Sequence, residues 1–126
     1  MNDDIRRALS HGHTIDITTT GRRTGQSRRI EIVFHNFDGR TYISGLPSRR
    51  KRAWLANLEA DPRMTLHLKG PRVTADLPAR ARVISDEQER RAIITRVAAV
   101  WRRQDVDQMV AFSPLIEVTV EEAAAA

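Results

Sequence analysis

The sequence predicts an α+β fold in which six antiparallel strands form a small barrel with flanking helices. One basis is a set of six short segments that are rich in β-branched residues or alternate apolar and polar residues, as half-buried strands do. The other is the mixture of turns and helices between them, which differs from the regular strand–helix alternation of a parallel sheet. With 126 residues the chain is long enough for one domain with a single core.

The positions of the strands and helices follow from residue periodicity and from turn residues. Asp38-Gly39 predicts a tight hairpin turn, because such turns require positive φ angles. A helix of roughly three turns begins near Trp54 and ends before Asp61-Pro62, since the residue before a proline disfavours helical backbone. Strands are predicted at residues 13–20, 28–37, 40–45, 63–68, 73–84 and 115–120, and helices at residues 2–10, 54–60, 85–103 and 105–112.

The second half of the chain carries two more specific expectations. Pro78 lies inside the fifth strand and predicts a strand edge or a bulge, because proline cannot donate to a ladder of hydrogen bonds. Ser85 is predicted to cap the long helix, which has acidic residues in its first turn. The residues of that helix predicted to face the core are Ala92, Ile93, Val97, Val100 and Trp101.

The predicted organisation is a helical arm at residues 1–12, a barrel domain at residues 13–122 and a frayed tail at residues 123–126. No apolar run reaches the roughly 18 residues that a membrane-spanning helix needs, and the N-terminus lacks the apolar stretch of a signal peptide. We therefore expect a cytoplasmic protein without a membrane span.

The net charge of +5 comes almost entirely from arginine, because only Lys51 and Lys69 are lysines. Arginine favours bidentate contacts with phosphates and carboxylates. Cysteine is absent, which excludes disulfides, thiolate metal sites and cysteine nucleophiles. Few aromatic residues could stack on bases and no nucleic-acid-binding motif is visible, so no specific nucleic-acid partner is predicted.

The most informative segment is residues 45–58, where a glycine-containing turn precedes Arg49-Arg50-Lys51-Arg52 and then an apolar helical pattern. Adjacent cations repel one another, and a bound polyanion relieves that repulsion. The N–H groups at a helix start carry partial positive charge, and guanidinium groups fit phosphate geometry. The segment indicates an anion-binding site, with a solvated basic turn as the alternative.

The four histidines do not predict a metal site. A metal site would need at least three converging ligands, and the spacing of the histidines shows no convergence. His35 or His67 as a proton donor stays open beside the interpretation of both as ordinary barrel residues.

Three segments together resemble the deazaflavin-dependent nitroreductase family. They are TTGRRTGQSR at residues 19–28, FDGRTYI at residues 37–43 and WLANLEADP at residues 54–62. The most specific element is the conjunction of TGRxTGxxR with WxxNLxAxP. The resemblance implies a split β-barrel related to FMN-binding barrels, assembly as a homodimer, and the reduced deazaflavin coenzyme F-420 as cofactor.

In that family the loop before the crossing helix and the adjoining barrel strand hold the phosphate and acidic tail of the coenzyme. Thr24 and Arg28 either line the same pocket or only form the turn between two strands. Trp54 either packs beside the coenzyme ring or belongs to the core. By motif position, the resemblance assigns cofactor binding to Ser44, Gly45, Ser48, Arg49, Arg50, Lys51, Arg52, Ala53 and Trp54, with Lys69 on the next strand as a further candidate.

The reaction that the resemblance implies is hydride transfer from the reduced cofactor to an electrophilic small molecule such as a quinone, an enone or a nitro compound. Because the cofactor carries the chemistry, no catalytic side chain is predicted. Two alternatives stay open, since fold does not fix function. One is the same barrel with FMN, haem or another tetrapyrrole, and the other is a cofactor-binding module without catalytic activity.

Overall fold

The computed structural model describes residues 1–121, and its strands form a closed barrel in the order β1-β2-β3-β6-β5-β4. All six strand pairs are antiparallel. This confirms the predicted α+β class and the six-stranded antiparallel barrel, whereas the predicted tail at residues 123–126 lies outside the described residues. In chain order the elements are α1 (Asp3–Leu9), β1 (Thr14–Thr20), β2 (Ser27–Phe37), β3 (Arg40–Ser44), α2 (Ala53–Ala60), β4 (Arg63–Lys69), β5 (Thr74–Val83), α3 (Glu87–Trp101), α4 (Val106–Phe112) and β6 (Leu115–Val120).

The two longest strands, β2 and β5, each pair with different neighbours along their length. Residues 27–33 of β2 pair with β1, and residues 34–37 pair with β3. In β5, residues 74–80 pair with β4 and residues 79–83 pair with β6. One side of residues 27–33 therefore has no strand partner among the described residues, and the barrel is split beside them.

The core fills the barrel because inward-facing positions alternate with polar ones along each strand. Ile15 and Ile17 of β1 and Leu66 of β4 are fully buried there, as is Phe34 of β2. A second apolar cluster lies outside the barrel, where α3 and α4 pack against Tyr42 and other residues of the strands. Helix α2 lies at the end of the barrel near the β1–β2 turn, and its Trp54 and Leu58 belong to the core cluster of the barrel.

The predicted hairpin turn at Asp38-Gly39 is confirmed, with φ angles of 56° and 83°. Pro78 lies at a local strand edge, one of the two predicted alternatives, and not at a bulge, because residues 74–78 of β5 have no β6 partner and the register of β5 with β4 is unbroken. Pro78 lies one residue beyond the last β5–β6 pair, Ala79 with Val120, and its carbonyl accepts from Glu121 N–H at 2.8 Å. The proline is tolerated where the β6 strand ends.

The boundaries of α3 differ from the prediction at both ends. Its N-cap is Asp86, whose carboxylate accepts from Glu89 N–H at 2.9 Å, rather than Ser85. It ends at Trp101, because Arg102 adopts a left-handed conformation with φ 55°. The predicted core stripe is only partly correct, since Val100 is 58 % exposed and Ala92 is exposed, whereas the buried positions are Ile93, Ile94, Val97 and Ala98.

The identity of the α3 cap is testable by a pair of neighbouring substitutions. Asp86→Ala removes the acceptor of the Glu89 N–H, and we expect it to lower the free energy of unfolding by about 1 kcal/mol. Ser85→Ala is the matched control and leaves that free energy unchanged. Urea denaturation of both variants measures the difference, and a larger loss for Ser85→Ala would contradict the assignment.

Candidate functional site

The turn between β1 and β2 is closed by its own backbone. Gly21 N–H donates to Gln26 O at 2.7 Å, and Gly25 N–H donates to Gly21 O at 2.8 Å. Gly25 has a φ of 72°, a conformation that glycine adopts without strain. The turn is thereby a compact loop on which Arg22 and Arg23 are exposed.

Asn57 connects this turn to helix α2. Its side chain is buried, and its Nδ2 donates to Thr19 Oγ1 at 3.1 Å. Its Oδ1 accepts from the Arg22 backbone N–H at 3.1 Å and from Arg22 Nη1 at 3.4 Å. Leaving a buried polar group without a partner costs about 1–3 kcal/mol, so this amide holds the turn and the helix in a fixed arrangement.

A cavity of about 630 Å³, here called the turn cavity, lies between the turn, the split side of β2 and the start of α2. Its volume falls within the roughly 300–1,000 Å³ of small-molecule sites. It combines several guanidinium groups with the apolar side chains of Ile30 and Trp54. It is lined by Thr19, Gly21, Arg22, Arg23, Thr24, Arg28, Ile30, Arg52, Ala53, Trp54 and Asn57.

The basic loop, residues 45–52, is fixed to the end of α4. Ser48 N–H donates to Phe112 O at 3.0 Å, and Ser48 Oγ donates to Arg50 O at 3.0 Å while accepting from Arg50 N–H at 3.2 Å. The Arg49 guanidinium lies 5.3 Å from the centroid of the Phe112 ring. These contacts give the loop a defined shape although the Arg49 and Arg50 side chains are exposed.

Arg52 lies at the centre of the site. Its Nη2 donates to Leu46 O at 2.7 Å, and a Cβ atom on Gly45 would lie 3.2 Å from its Cζ, so Gly45 leaves space for the guanidinium. Arg52 lines the turn cavity and also a second cavity of about 380 Å³, here called the loop cavity. The two cavities therefore share one cation.

The loop cavity lies between the basic loop and the end of α4. Arg90 of α3 also lines it, and its guanidinium donates to Val110 O at 3.0 and 2.8 Å, to Ser113 O at 2.6 Å and to Ile84 O at 3.0 Å. Burial lowers the pKa of Arg90, yet the guanidinium stays charged because its ordinary value is far above neutrality. Arg90 thus holds the floor of the cavity together by carbonyl contacts.

The ion pairs divide the arginines of the described chain into two groups. One group has a carboxylate oxygen within 4.0 Å, as Arg29 has with Asp16 and Arg82 has with Glu89 and Glu117. The other group has none among residues 1–121. The arginines of this second group that line the turn or loop cavity are Arg22, Arg23, Arg28, Arg49, Arg50, Arg52 and Arg90.

Most of the residues that the sequence assigns to cofactor binding line one of the two cavities. Thr24, Arg28, Arg52, Ala53 and Trp54 meet in the turn cavity. The residues at the loop cavity are Ser48, Arg49, Arg50, Lys51 and Arg52. Within this set Lys51 is paired with Glu59 at 2.7 Å, and Trp54 belongs to the barrel core as well as to the cavity wall.

Three assigned residues lie apart from both cavities. Ser44 is buried and its Oγ donates to Pro114 O at 2.6 Å. Gly45 lines neither cavity, but its missing side chain leaves space for the Arg52 guanidinium. Lys69 lies at the far end of β4, where its Nζ contacts Asp16 at 2.7 Å and Glu31 at 2.6 Å, and these contacts raise its pKa.

Sequence reasoning missed Arg90 in the loop cavity. It also missed six residues of the turn cavity, namely Thr19, Gly21, Arg22, Arg23, Ile30 and Asn57. Gly21, Arg22 and Asn57 belong to the motifs TGRxTGxxR and WxxNLxAxP, so the motif conjunction was the available signal. Arg90 had no such signal, because its role depends on three carbonyls from two separate segments, the residue after β5 and the end of α4.

The histidines lie away from both cavities. His67 is buried between Asp76 Oδ1, 2.6 Å from its Nδ1, and Thr18 Oγ1, 2.7 Å from its Nε2. The contact with His67 lowers the pKa of Asp76, and burial lowers the pKa of His35. Within residues 1–121 no group of three or more histidine, aspartate or glutamate side chains could hold a metal ion.

A family model described as F420H2-dependent quinone reductase matches residues 2–123. The chain belongs to this family. The resemblance drawn from the motifs is thus confirmed, and so are the classification as an oxidoreductase and the coenzyme F-420 as cofactor. A search of curated proteins found no match.

Solved structures similar to this F-420-dependent reductase share its barrel at low sequence identity. Protein Rv2991 from Mycobacterium tuberculosis is 18% identical, with a TM-score of 0.70 over 96% of this chain and 81% of its own. HutZ, a haem storage protein from Vibrio cholerae, is 13% identical, with a TM-score of 0.67 over 94% and 86%. An FAD-binding protein from Mesorhizobium loti is 13% identical, with a TM-score of 0.61 over 96% and 91%. These similarities show the fold alone.

The Asn57 bridge is testable by its effect on the turn. Asn57→Ala leaves the Arg22 N–H and the Thr19 hydroxyl without their partner, and we expect a loss of about 1–3 kcal/mol in the free energy of unfolding. Amide hydrogen exchange at Arg22 should accelerate in the same variant. Glu59→Ala, on the exposed side of the same helix, is the control and should cost less than about 1 kcal/mol. Unchanged exchange at Arg22 would show that Asn57 does not hold the turn.

Proposed function

We propose that this reductase transfers a hydride from reduced F-420 to a quinone. The single observation that supports it most directly is the concentration, around the turn and loop cavities, of arginines that have no carboxylate partner within residues 1–121. Cations without carboxylate partners repel one another, and a cluster of them creates a positive potential that attracts a polyanion. The family match supplies the chemical identity of that polyanion.

The residues fit the charged part of the coenzyme, which is a phosphodiester with an oligoglutamate tail. Arg52 stands between the two cavities and is the proposed contact for the phosphate. Arg49 and Arg50, exposed on the basic loop and without a carboxylate partner among residues 1–121, are the proposed contacts for the tail. Guanidinium groups suit both, because they bind phosphate and carboxylate in bidentate fashion.

We place the ring in the turn cavity. Ile30 and Trp54 provide apolar contact surface there, and Asn57 keeps the opposite wall in position through the β1–β2 turn. When bound, the reduced deazaflavin supplies a hydride donor. The contribution of the protein is to hold donor and acceptor at about 3–3.5 Å and to exclude water between them.

The lining of the turn cavity favours a quinone over the other acceptors. Thr19, Thr24 and Asn57 provide hydroxyl and amide groups, but among residues 1–121 the lining contains no aspartate, glutamate, histidine, lysine, tyrosine or cysteine that could donate a proton at neutral pH. Hydride addition to a quinone leaves negative charge on oxygen, and a guanidinium group stabilises such charge without transferring a proton. Arg22, Arg23 and Arg28 are the proposed groups, and the proton then comes from solvent.

The homodimer that the resemblance implies remains part of this proposal. Val33 and Val100 are exposed by 40 % and 58 %, and both border a small cleft of about 180 Å³ between residues 33–37 of β2 and the end of α3. Exposed apolar side chains in one patch are typical of protein interfaces.

Within the described residues no helix is long and apolar enough to cross a membrane.

The proposed site is tested by removing its unpaired cations. Arg49→Ala, Arg50→Ala and Arg52→Ala combined should weaken F-420 binding by about 100-fold or more, since charge-assisted hydrogen bonds contribute about 1.5–3 kcal/mol each. The control variant combines Arg80→Ala, Arg91→Ala and Arg96→Ala, which removes the same charge from arginines that are paired with carboxylates. Fluorescence titration with F-420, and separately with FMN, measures the affinities.

Unchanged F-420 affinity of the site variant would refute the placement of the site. The reaction is tested separately by following oxidation of reduced F-420 in the presence of menadione. A wild-type protein that binds F-420 but reduces no quinone would refute the acceptor class. Tighter binding of FMN than of F-420 would favour the flavin alternative.

A further inference from the structure

A third cavity, here called the arm cavity, lies at the other end of the barrel from the turn cavity. Its volume is about 550 Å³, and it is enclosed by helix α1, the start of β1 and the turn between β4 and β5. Ala8, Pro71 and Val73 give it an apolar floor. A cavity of this size can hold a small organic molecule.

Two arginines line this cavity from different elements. Arg7 comes from the last turn of α1 and Arg72 from the β4–β5 turn. Neither has a carboxylate within 4.0 Å among residues 1–121, which places both in the same unpaired group as the arginines of the turn and loop cavities. Lys69 also lines the arm cavity, but Asp16 and Glu31 already compensate its charge.

The wall of the arm cavity is held in place without a ligand. The His13 ring contacts Ala8 O at 2.8 Å through Nε2 and Thr14 O at 3.2 Å through Nδ1. It also packs edge-on against Phe34, with 4.7 Å between ring centroids. These contacts hold the helical arm against β1. The wall of the arm cavity that α1 forms is therefore positioned by contacts within the protein.

We propose that the arm cavity binds a monoanion with an apolar body, such as an aryl or acyl carboxylate. The carboxylate would lie between the Arg7 and Arg72 guanidinium groups, and the apolar body would contact Ala8, Pro71 and Val73. Asp4 lines the same cavity and opposes a second negative charge on the ligand. The arm cavity therefore favours a ligand with one negative charge, whereas the proposed site around the basic loop favours a polyanion.

This site is separate from the proposed hydride transfer. Thr14 lines the arm cavity and Thr19 lines the turn cavity, and five residues of extended strand place their Cα atoms about 17 Å apart. Hydride transfer needs the reacting atoms at about 3–3.5 Å. A molecule in the arm cavity is therefore not the hydride acceptor, and the site does not depend on the proposed function.

Fluorine NMR with para-trifluoromethylbenzoate as the probe tests the proposal on the full chain. We expect saturable binding to the wild-type protein and a dissociation constant at least about tenfold higher for Arg7→Gln/Arg72→Gln, because two charge-assisted contacts are lost. Arg49→Gln/Arg50→Gln is the matched control, since it removes the same charge from the loop cavity. Circular dichroism confirms that each variant is folded.

Two further measurements separate the contribution of the carboxylate charge to benzoate binding from that of the apolar contacts. The neutral analogue para-trifluoromethylbenzyl alcohol should bind more weakly than the benzoate, and Val73→Trp, which fills the floor, should abolish benzoate binding with both arginines intact. Benzoate affinity that is unchanged in Arg7→Gln/Arg72→Gln, or lost in Arg49→Gln/Arg50→Gln instead, would overturn the proposal. Equal affinity for the alcohol and the benzoate would overturn it too.

Discussion

The site depends on one buried amide that connects two parts of the chain far apart in sequence. Asn57 contacts Thr19 at the end of β1 and Arg22 in the following turn, and it does so from the middle of helix α2. The turn and the helix form opposite walls of the turn cavity. Because a buried amide must keep its hydrogen bonds, the width of that cavity is set by protein contacts before any ligand binds.

The split in the barrel provides the place for this site. Residues 27–33 of β2 have a strand neighbour on one side only among the described residues, and Arg28 and Ile30 of this segment line the turn cavity. Helix α2 covers the barrel end nearby and brings Arg52 and Trp54 to the opening. A fully paired barrel of this size would be filled by its own side chains, as the core of this one is.

Electrostatic pairing separates structural arginines from those available to a ligand. Arg82 contacts two glutamates, and these contacts raise its pKa, so its charge is compensated within the protein. Arg23 and Arg28 have no such partner among residues 1–121 and line a cavity instead. The arginines without a carboxylate partner within residues 1–121 therefore include groups at separate cavities, such as Arg23 and Arg28 at the turn cavity and Arg7 and Arg72 at the arm cavity. This distribution suits small anionic ligands better than a nucleic-acid strand, whose backbone needs an extended track of cations.

The sequence by itself determined the strands, the Asp38-Gly39 hairpin and the run of four cations in the basic loop, because each depends on residues close together in the chain. Only the tertiary structure decided that Asn57 joins the two motifs, that Arg22 and Arg23 face Arg52 across a cavity, and that Lys69 lies at the opposite end of β1. It also decided that Asp86, not Ser85, caps α3. The physical reason is that ion pairing, burial and cavity shape depend on strand register and helix placement, which bring distant residues together without leaving a periodic pattern in the sequence.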